Sequence, residues 1–264
     1  MAILCVGYDV ESDQSRTTRH FLKEMQRIHE DRGAPCSLFI KGRTLEKNVE
    51  QFKNLLDNDL FDMQQHTYSH LIFKHIPVII DGKLQPVGED EPLFKIQEEI
   101  ERTQELFKNL LSLDVKGLTT PYAFYKGLSD RPDILKVLHD AGIRFIRSYA
   151  RNEKSYNPVP LDVQPFFYEE QGFPDMLECP IQGWQDCIWR DRFGWNANWE
   201  KQVFMYIDHI VENDLYYGLA QHDWSSIKAD KRMERTAAML DYALEKEVQI
   251  IHYKDLYALK RGSN

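Results

Sequence analysis

The feature that most constrains this chain is a regular alternation of short apolar runs with amphipathic stretches of 3.6-residue period. Residues 3–8 form an apolar run, followed by a stretch that puts Phe21, Leu22, Met25 and Ile28 on one face and is stopped by Gly33, Ala34 and Pro35. Residues 36–40 are the second run, 45–56 read as a helix and 62–65 as a short strand. A Pro- and Gly-bearing excursion over 75–92 reads as an inserted loop or hairpin. A long helix then resumes at Leu93 with Ile96, Ile100, Leu106 and Leu110 inward. Further strands are predicted at 116–119, 145–148, 176–179, 217–221 and 248–252, with helices near 132–141, 199–212 and 232–245. Such alternation implies a parallel sheet, and about seven strands in 264 residues fit an α/β fold of the distorted (β/α) barrel type. A doubly wound open sheet is the alternative. The expected organisation is a single catalytic domain over 1–264 carrying the 75–92 loop.

Either architecture places its chemistry at the C-terminal ends of the strands. Four strand ends carry candidate groups. Asp9 and Glu11 are two apart, so an extended backbone puts both carboxylates on one face; helix capping is the plainer role for such acids. His66 and His70 form an H-x-x-x-H pair directly after the 62–65 strand, a spacing at which two imidazoles share one metal ion if the segment turns helical. Pro121 and Tyr122 lie in a strand-end turn suited to a pocket wall. His222 ends the 217–221 strand beside Asp223 and suits general acid or base chemistry, though a solvated loop histidine reads the same way.

Lys and Arg total 33 against 42 Asp and Glu, a formal charge of −9, and no basic block offsets it. A nucleic-acid partner is therefore not expected. The first residues lack a basic leader and no apolar stretch is long enough for a bilayer, so a cytoplasmic location without membrane insertion is the expectation. Cys5, Cys36, Cys179 and Cys187 show no C-x-x-C spacing and read as buried thiols. Trp184, Trp189, Trp195, Trp199 and Phe193 form an aromatic stretch in which Trp184 is the candidate sugar contact. Arg190 and Arg192 interleave with it and are candidate contacts for an acidic group. A homo-oligomer is compatible with so aromatic a chain.

Taken together, the sequence resembles the polysaccharide deacetylase family of NodB-like carbohydrate esterases. The second strand, the segment from Asp62 to His70, the turn Thr119 to Tyr122, the run Leu177 to Pro180 and the end Leu219 to His222 each look like one of that family's motifs, in the family's order. The resemblance implies one divalent metal, most often zinc, held by a carboxylate with His66 and His70, and His222 as general acid. By analogy with D-x-D members, Asp9 is assigned as base and Glu11 as metal ligand, with Asp9 as the alternative ligand. Two departures mark a divergent branch. Thr119 stands where the family places the arginine that orients the base, so Asp9 is expected to lack that charge partner. Residues 145–149, FIRSY, replace the family's D-x-x-D-W motif.

The implied activity is metal-dependent removal of an acetyl group from an N-acetylated or O-acetylated sugar or sugar-containing precursor. Hydrolysis of a non-peptide C–N amide on the same scaffold is the second reading, and an inactive sugar- or metal-binding relative the third.

Overall fold

The computed structural model describes residues 1–80 and 83–262. The chain opens with β1 (Ile3–Val10), α1 (Ser15–Glu30) and β2 (Cys36–Ile40). The helix expected over 45–56 is instead two short ones, α2 (Gly42–Lys47) and α3 (Val49–Lys53). Asn48 separates them with a non-helical φ of −138° while its side-chain amide donates to the Thr44 carbonyl, a local bond that competes with the helical ladder. After β3 (Phe61–Gln65), the excursion contains an antiparallel hairpin of β4 (Ile76–Ile80) and β5 (Lys83–Val87). The chain continues through α4 (Leu93–Leu111), β6 (Gly117–Tyr125), α5 (Pro132–Asp140) and β7 (Phe145–Arg151). Then come β8 (Phe166–Tyr168), β9 (Phe173–Glu178), α6 (Asp186–Phe193), α7 (Trp199–Asn213) and β10 (Tyr216–His222). The last elements are α8 (Asp223–Ala229), α9 (Glu234–Glu245), β11 (Gln249–Ile250) and α10 (Tyr253–Gly262).

Seven strands run parallel in the order β10-β1-β2-β3-β6-β7-β9, with β8 antiparallel at one edge and β11 beside the start of β1. The sheet curls into a distorted barrel. Alternation along β1 shows why. Leu4, Val6, Tyr8 and Val10 pack outward against Phe21, Leu22, Met25 and Ile28 of α1, whereas Cys5 faces Phe39, Phe145, Leu177 and Tyr216 inside. A strand buried on both faces reads as a continuous apolar run, as this one does.

Side-chain amides bridge the seam between β9 and β10. Gln182 accepts from the Gly218 N–H at 2.7 Å and donates to the Tyr216 carbonyl at 3.2 Å, and Gln164 bonds the Tyr216 N–H and carbonyl at 2.9 and 3.0 Å. Backbone groups that a neighbouring strand would occupy are thereby satisfied. The seam fixes β10, and with it His222.

His29 on α1 supplies a stability prediction. Its ring is fully buried between the Ala34 carbonyl (2.7 Å) and the Tyr8 hydroxyl (2.9 Å), and burial above all lowers its pKa from 6.5 to about 4. The unfolded chain binds this proton more readily, so stability is full above pH 6.5 and falls as the pH drops toward 4, by up to about 3 kcal/mol from this residue. Urea unfolding of the wild type should therefore weaken between neutral pH and pH 5 more steeply than that of His29→Gln; equal slopes would contradict it.

Candidate metal centre and catalytic cavity

The strand ends converge on one cavity of about 390 Å³. β1 delivers Asp9 and Glu11, β3 is followed by His66 and His70, β10 ends at His222, and all five line it. Val78 of the β4–β5 hairpin reaches the same cavity, so the excursion borders the site.

Glu11 and the two histidines form the tightest group. Glu11 Oε2 lies 3.1 Å from His66 Nε2 and 2.8 Å from His70 Nε2. A tetrahedral zinc site with bonds of about 2.0–2.1 Å has ligand atoms about 3.3 Å apart, so these donors are already gathered to the scale of one ion. Their outer partners orient them: His66 Nδ1 is bonded to the Thr119 carbonyl at 2.8 Å, and Trp224 Nε1 donates to Glu11 Oε1 at 2.9 Å. Burial works to raise the Glu11 pKa, but hydrogen bonds from His66 and His70 prevail and hold the carboxyl well below its usual range. Asp223 fixes the loop below, accepting from the N–H groups of Glu11 and Ser12 and the Thr18 hydroxyl; burial, then the Glu11 charge, push its pKa up to about 6.

The 66–70 segment is not a helix. The histidines meet because Thr67 and His70 both adopt left-handed φ, 56° and 71°, with the His70 N–H donating to the Thr67 hydroxyl. The four-residue spacing thus works through a tight loop rather than through helical periodicity.

Asp9 faces a different partner. Its Oδ1 accepts from Arg147 Nη1 at 2.8 Å, and the same Nη1 bonds the Thr119 hydroxyl at 2.9 Å. Arg147 comes from β7, is fully buried, and lies over the rings of Phe39 (4.3 Å) and Tyr253 (5.0 Å). Gly7 on β1 makes room, since a Cβ there would sit 2.8 Å from the guanidinium carbon. The expectation that Asp9 lacks a charge partner is therefore overturned. The arginine stands on the strand beside Thr119, inside the very segment read only as a missing motif.

His222 closes the opposite side. Its Nδ1 is 2.7 Å from Asp186 Oδ1, and its Nε2 is 3.9 Å from Asp9 Oδ2 and 4.0 Å from Cys187 Sγ. Burial acts to lower its pKa, but Cys187 and Asp186 raise it well above 6.5. Asp186, also buried, has its pKa lowered: burial opposes this, and the charges of His222 and Arg190 overcome it.

The sequence pattern of the polysaccharide deacetylase family matches residues 9–146, just over half of the chain. The chain belongs to the polysaccharide deacetylase family. Among solved structures, the fold is similar to a putative polysaccharide deacetylase from Mycobacterium smegmatis, 11% identical with a TM-score of 0.70, covering 99% of this chain and 91% of that one. It is equally similar to Puue Allantoinase, 11% identical with a TM-score of 0.70, covering 97% and 89%. BA3943, a CE4 family pseudoenzyme from Bacillus anthracis, is 10% identical with a TM-score of 0.58 over 97% and 65%. No curated protein matches the sequence.

The matched polysaccharide deacetylase pattern includes Asp9, Glu11, His66, His70 and the Thr119–Tyr122 turn but stops one residue short of Arg147. Tyr122 lines the cavity and lies 5.8 Å, ring to ring, from His70; Pro121 is buried in β6 and does not line it. The turn after Pro121 holds Tyr122 and Ala123 at φ of 63° and 51°, and this bulge turns Tyr122 out of the β6–β7 ladder. Trp184 is not at the site: it packs against Trp189, Phe193 and Tyr156, and the aromatic wall is instead formed by Trp195 and Trp224. Arg190 is equally absent from the wall, being buried against Asp186 and Ser225. Of the four cysteines, Cys187 differs from expectation, since it is half-buried and lines the cavity. Sequence reading missed Arg147, Asp186 and Trp224. An arginine at an inward position of an apolar strand and the i,i+4 pair Asp186/Arg190 were the available signals.

Proposed function

We propose that this family member is a divalent-metal-dependent hydrolase of a C–N amide bond, removing an acyl group such as acetyl from an N-acetylated sugar or a small amide. The observation that carries the reading is the sharing of one cavity by the Glu11/His66/His70 group, Asp9 and His222. An inactive relative would have no need of all three parts. Glu11, His66 and His70 would hold the metal, and their nitrogen and carboxylate donors suit zinc. When bound, such an ion supplies a Lewis acid and an activated water.

The chain's own residues divide the proton work. Asp9, charged and aimed by Arg147, takes the proton from the attacking water. His222 carries its Nδ1 proton toward Asp186, which leaves the Nε2–H turned to the cavity for delivery to the departing nitrogen. Donors of the Tyr122 turn are assigned to the developing oxyanion. Trp195, Trp224 and Tyr122 form flat apolar walls for the substrate body. A cavity of about 390 Å³ is near the lower end of small-molecule sites, about 300–1,000 Å³, which favours a monosaccharide-sized amide over a long polymer.

The test is elemental analysis of the purified protein, followed by an acetate-release screen on N-acetylated sugars, sugar nucleotides, chitooligosaccharides and small amides. Stoichiometric zinc with turnover of at least one amide is expected. A chain that binds no divalent metal when offered it overturns the proposal.

The acid role makes its own prediction. The raised pKa keeps His222 protonated above pH 6.5, so its contribution to activity persists there and is lost as the pH rises through the folded value. The charged and titratable groups facing it are Asp186 and Cys187 of α6 and Asp9 of β1. Asp186→Asn removes the principal carboxylate, so the alkaline limb of kcat/KM should move to lower pH and kcat fall by about 10²–10⁴, the usual worth of a positioned general acid. Metal content should stay unchanged. An unshifted alkaline limb would remove His222 from the acid role.

A further inference from the structure

One charged group in the cavity is left over after the proposed chemistry is assigned. Arg151 stands four residues after Arg147 on the same face of β7, about 13 Å further toward the mouth at about 3.3 Å per residue. It lines the cavity with its side chain almost entirely buried, only 5% of the residue being exposed. Its partners are neutral. Nε donates to the carbonyls of Tyr122 (3.2 Å) and Ala123 (3.0 Å), and Nη1 to that of Ser155 (2.7 Å). Among the described residues no carboxylate lies within ion-pairing distance of it, and Nη2 has no hydrogen-bond partner.

Apart from the exposed Asp191, the other charges of the cavity are already committed. Asp9 pairs with Arg147, His222 with Asp186, and Glu11 with the two histidines. Asp191 also lines the cavity but is exposed and does not reach Arg151. Holding a guanidinium out of water without a counter-charge is costly, and its pKa is lowered chiefly by that burial. Carbonyls satisfy its hydrogen bonds and leave its charge uncompensated. A carboxylate arriving with the ligand compensates it and fills the free donor.

We propose that Arg151 is the anchor for a carboxylate on the substrate, so that the preferred substrate class is a small amide bearing a carboxylate on an apolar or aromatic body. This rests on the amide-hydrolase reading. It also moves the acid-contacting role from Arg190 and Arg192, which do not line the cavity, to Arg151.

The test compares N-acetylphenylalanine with N-acetylphenylalaninamide, which differ at the carboxylate, using zinc-loaded wild type, Arg151→Gln and Arg151→Lys. The wild type should favour the acid by at least about tenfold in kcat/KM, roughly the discrimination of one charge-assisted hydrogen bond. Arg151→Gln should erase the preference by raising KM for the acid alone, any change in kcat falling on both substrates alike because Nε also holds the Tyr122 turn, while Arg151→Lys retains part of the preference. A purely structural staple would lower both substrates alike in both variants, and that result overturns the proposal. Calorimetry with phenylacetate and phenylacetamide supplies a second readout. Tighter binding of phenylacetate, weakened about tenfold by Arg151→Gln, supports the anchor even if neither amide turns over, the hydrolase reading then being decided by the broader acetate-release screen. Failure of the wild type to distinguish phenylacetate from phenylacetamide overturns the anchor, whatever the enzyme hydrolyses.

Discussion

His70→Asn is expected to lose the bound metal and at least about a thousandfold in kcat/KM. In the proposed site Glu11, His66 and His70 would be three ligands for one ion, and a three-ligand site reduced to two retains little affinity. Losing the ion removes a contribution of several kcal/mol, and about 4 kcal/mol is a thousandfold. Asparagine is the informative replacement because position 70 is left-handed at φ 71°, a conformation that asparagine tolerates, so backbone strain does not confuse the result. His66→Ala should lose the metal as well, but His66 is 2% exposed and bonded to the Thr119 carbonyl, so that variant also costs stability. His75→Ala is the control, since His75 is exposed and, among the described residues, paired only with Asp90. Elemental analysis after dialysis reads the outcome. Full occupancy in His70→Asn would mean the ion, if any, sits elsewhere.

Asp9 carries a buried guanidinium that arises from β7, beside the Thr119 position on β6. Adjacent parallel strands place their inward side chains side by side, with Thr119 opposite Arg147 in register. An arginine can therefore change strand and still reach the same carboxylate, provided that a glycine clears its path, as Gly7 does.

That geometry also explains what was legible in the sequence. The parallel sheet was readable because strands such as β1 and β2 are nearly continuous apolar runs and each long helix has one apolar stripe, as α1 and α4 show. The short element β8, and helices α6 and α8, escaped because few residues give no period to detect. Glu11, His66 and His70 were visible as residues just after strands, but the loop that unites the histidines was not, since it depends on two left-handed residues that are not glycine. Arg147, Asp186 and Arg151 act through partners 138, 36 and 28 residues away. Distance along the chain hides such pairs, and only the strand order brings them together. Trp184 shows the opposite error, an aromatic cluster that packs on itself.

A double-mutant cycle on Asp9 and Arg147 tests the relocated charge directly. Arg147→Met should destabilise the protein by about 3–5 kcal/mol, because it leaves the carboxylate of Asp9, in a site where only 5% of that residue is exposed, without its hydrogen-bonded cation and with only His222 at 3.9 Å. Asp9→Asn should cost less than that: the asparagine still accepts a hydrogen bond from Arg147, whose charge also rests on the faces of Phe39 and Tyr253. Asp9→Asn/Arg147→Met removes both charges, so its loss should be smaller than the sum of the single losses by at least about 1 kcal/mol. Urea unfolding gives the three free energies. Catalysis should follow a different pattern: each single variant loses most of kcat with metal content intact, and the double variant is no worse than Asp9→Asn, because a guanidinium that serves only to aim the base has nothing left to aim. If the stability losses add fully, the two residues touch without energetic coupling. If the double variant falls well below Asp9→Asn in kcat, Arg147 acts on the substrate itself rather than through Asp9.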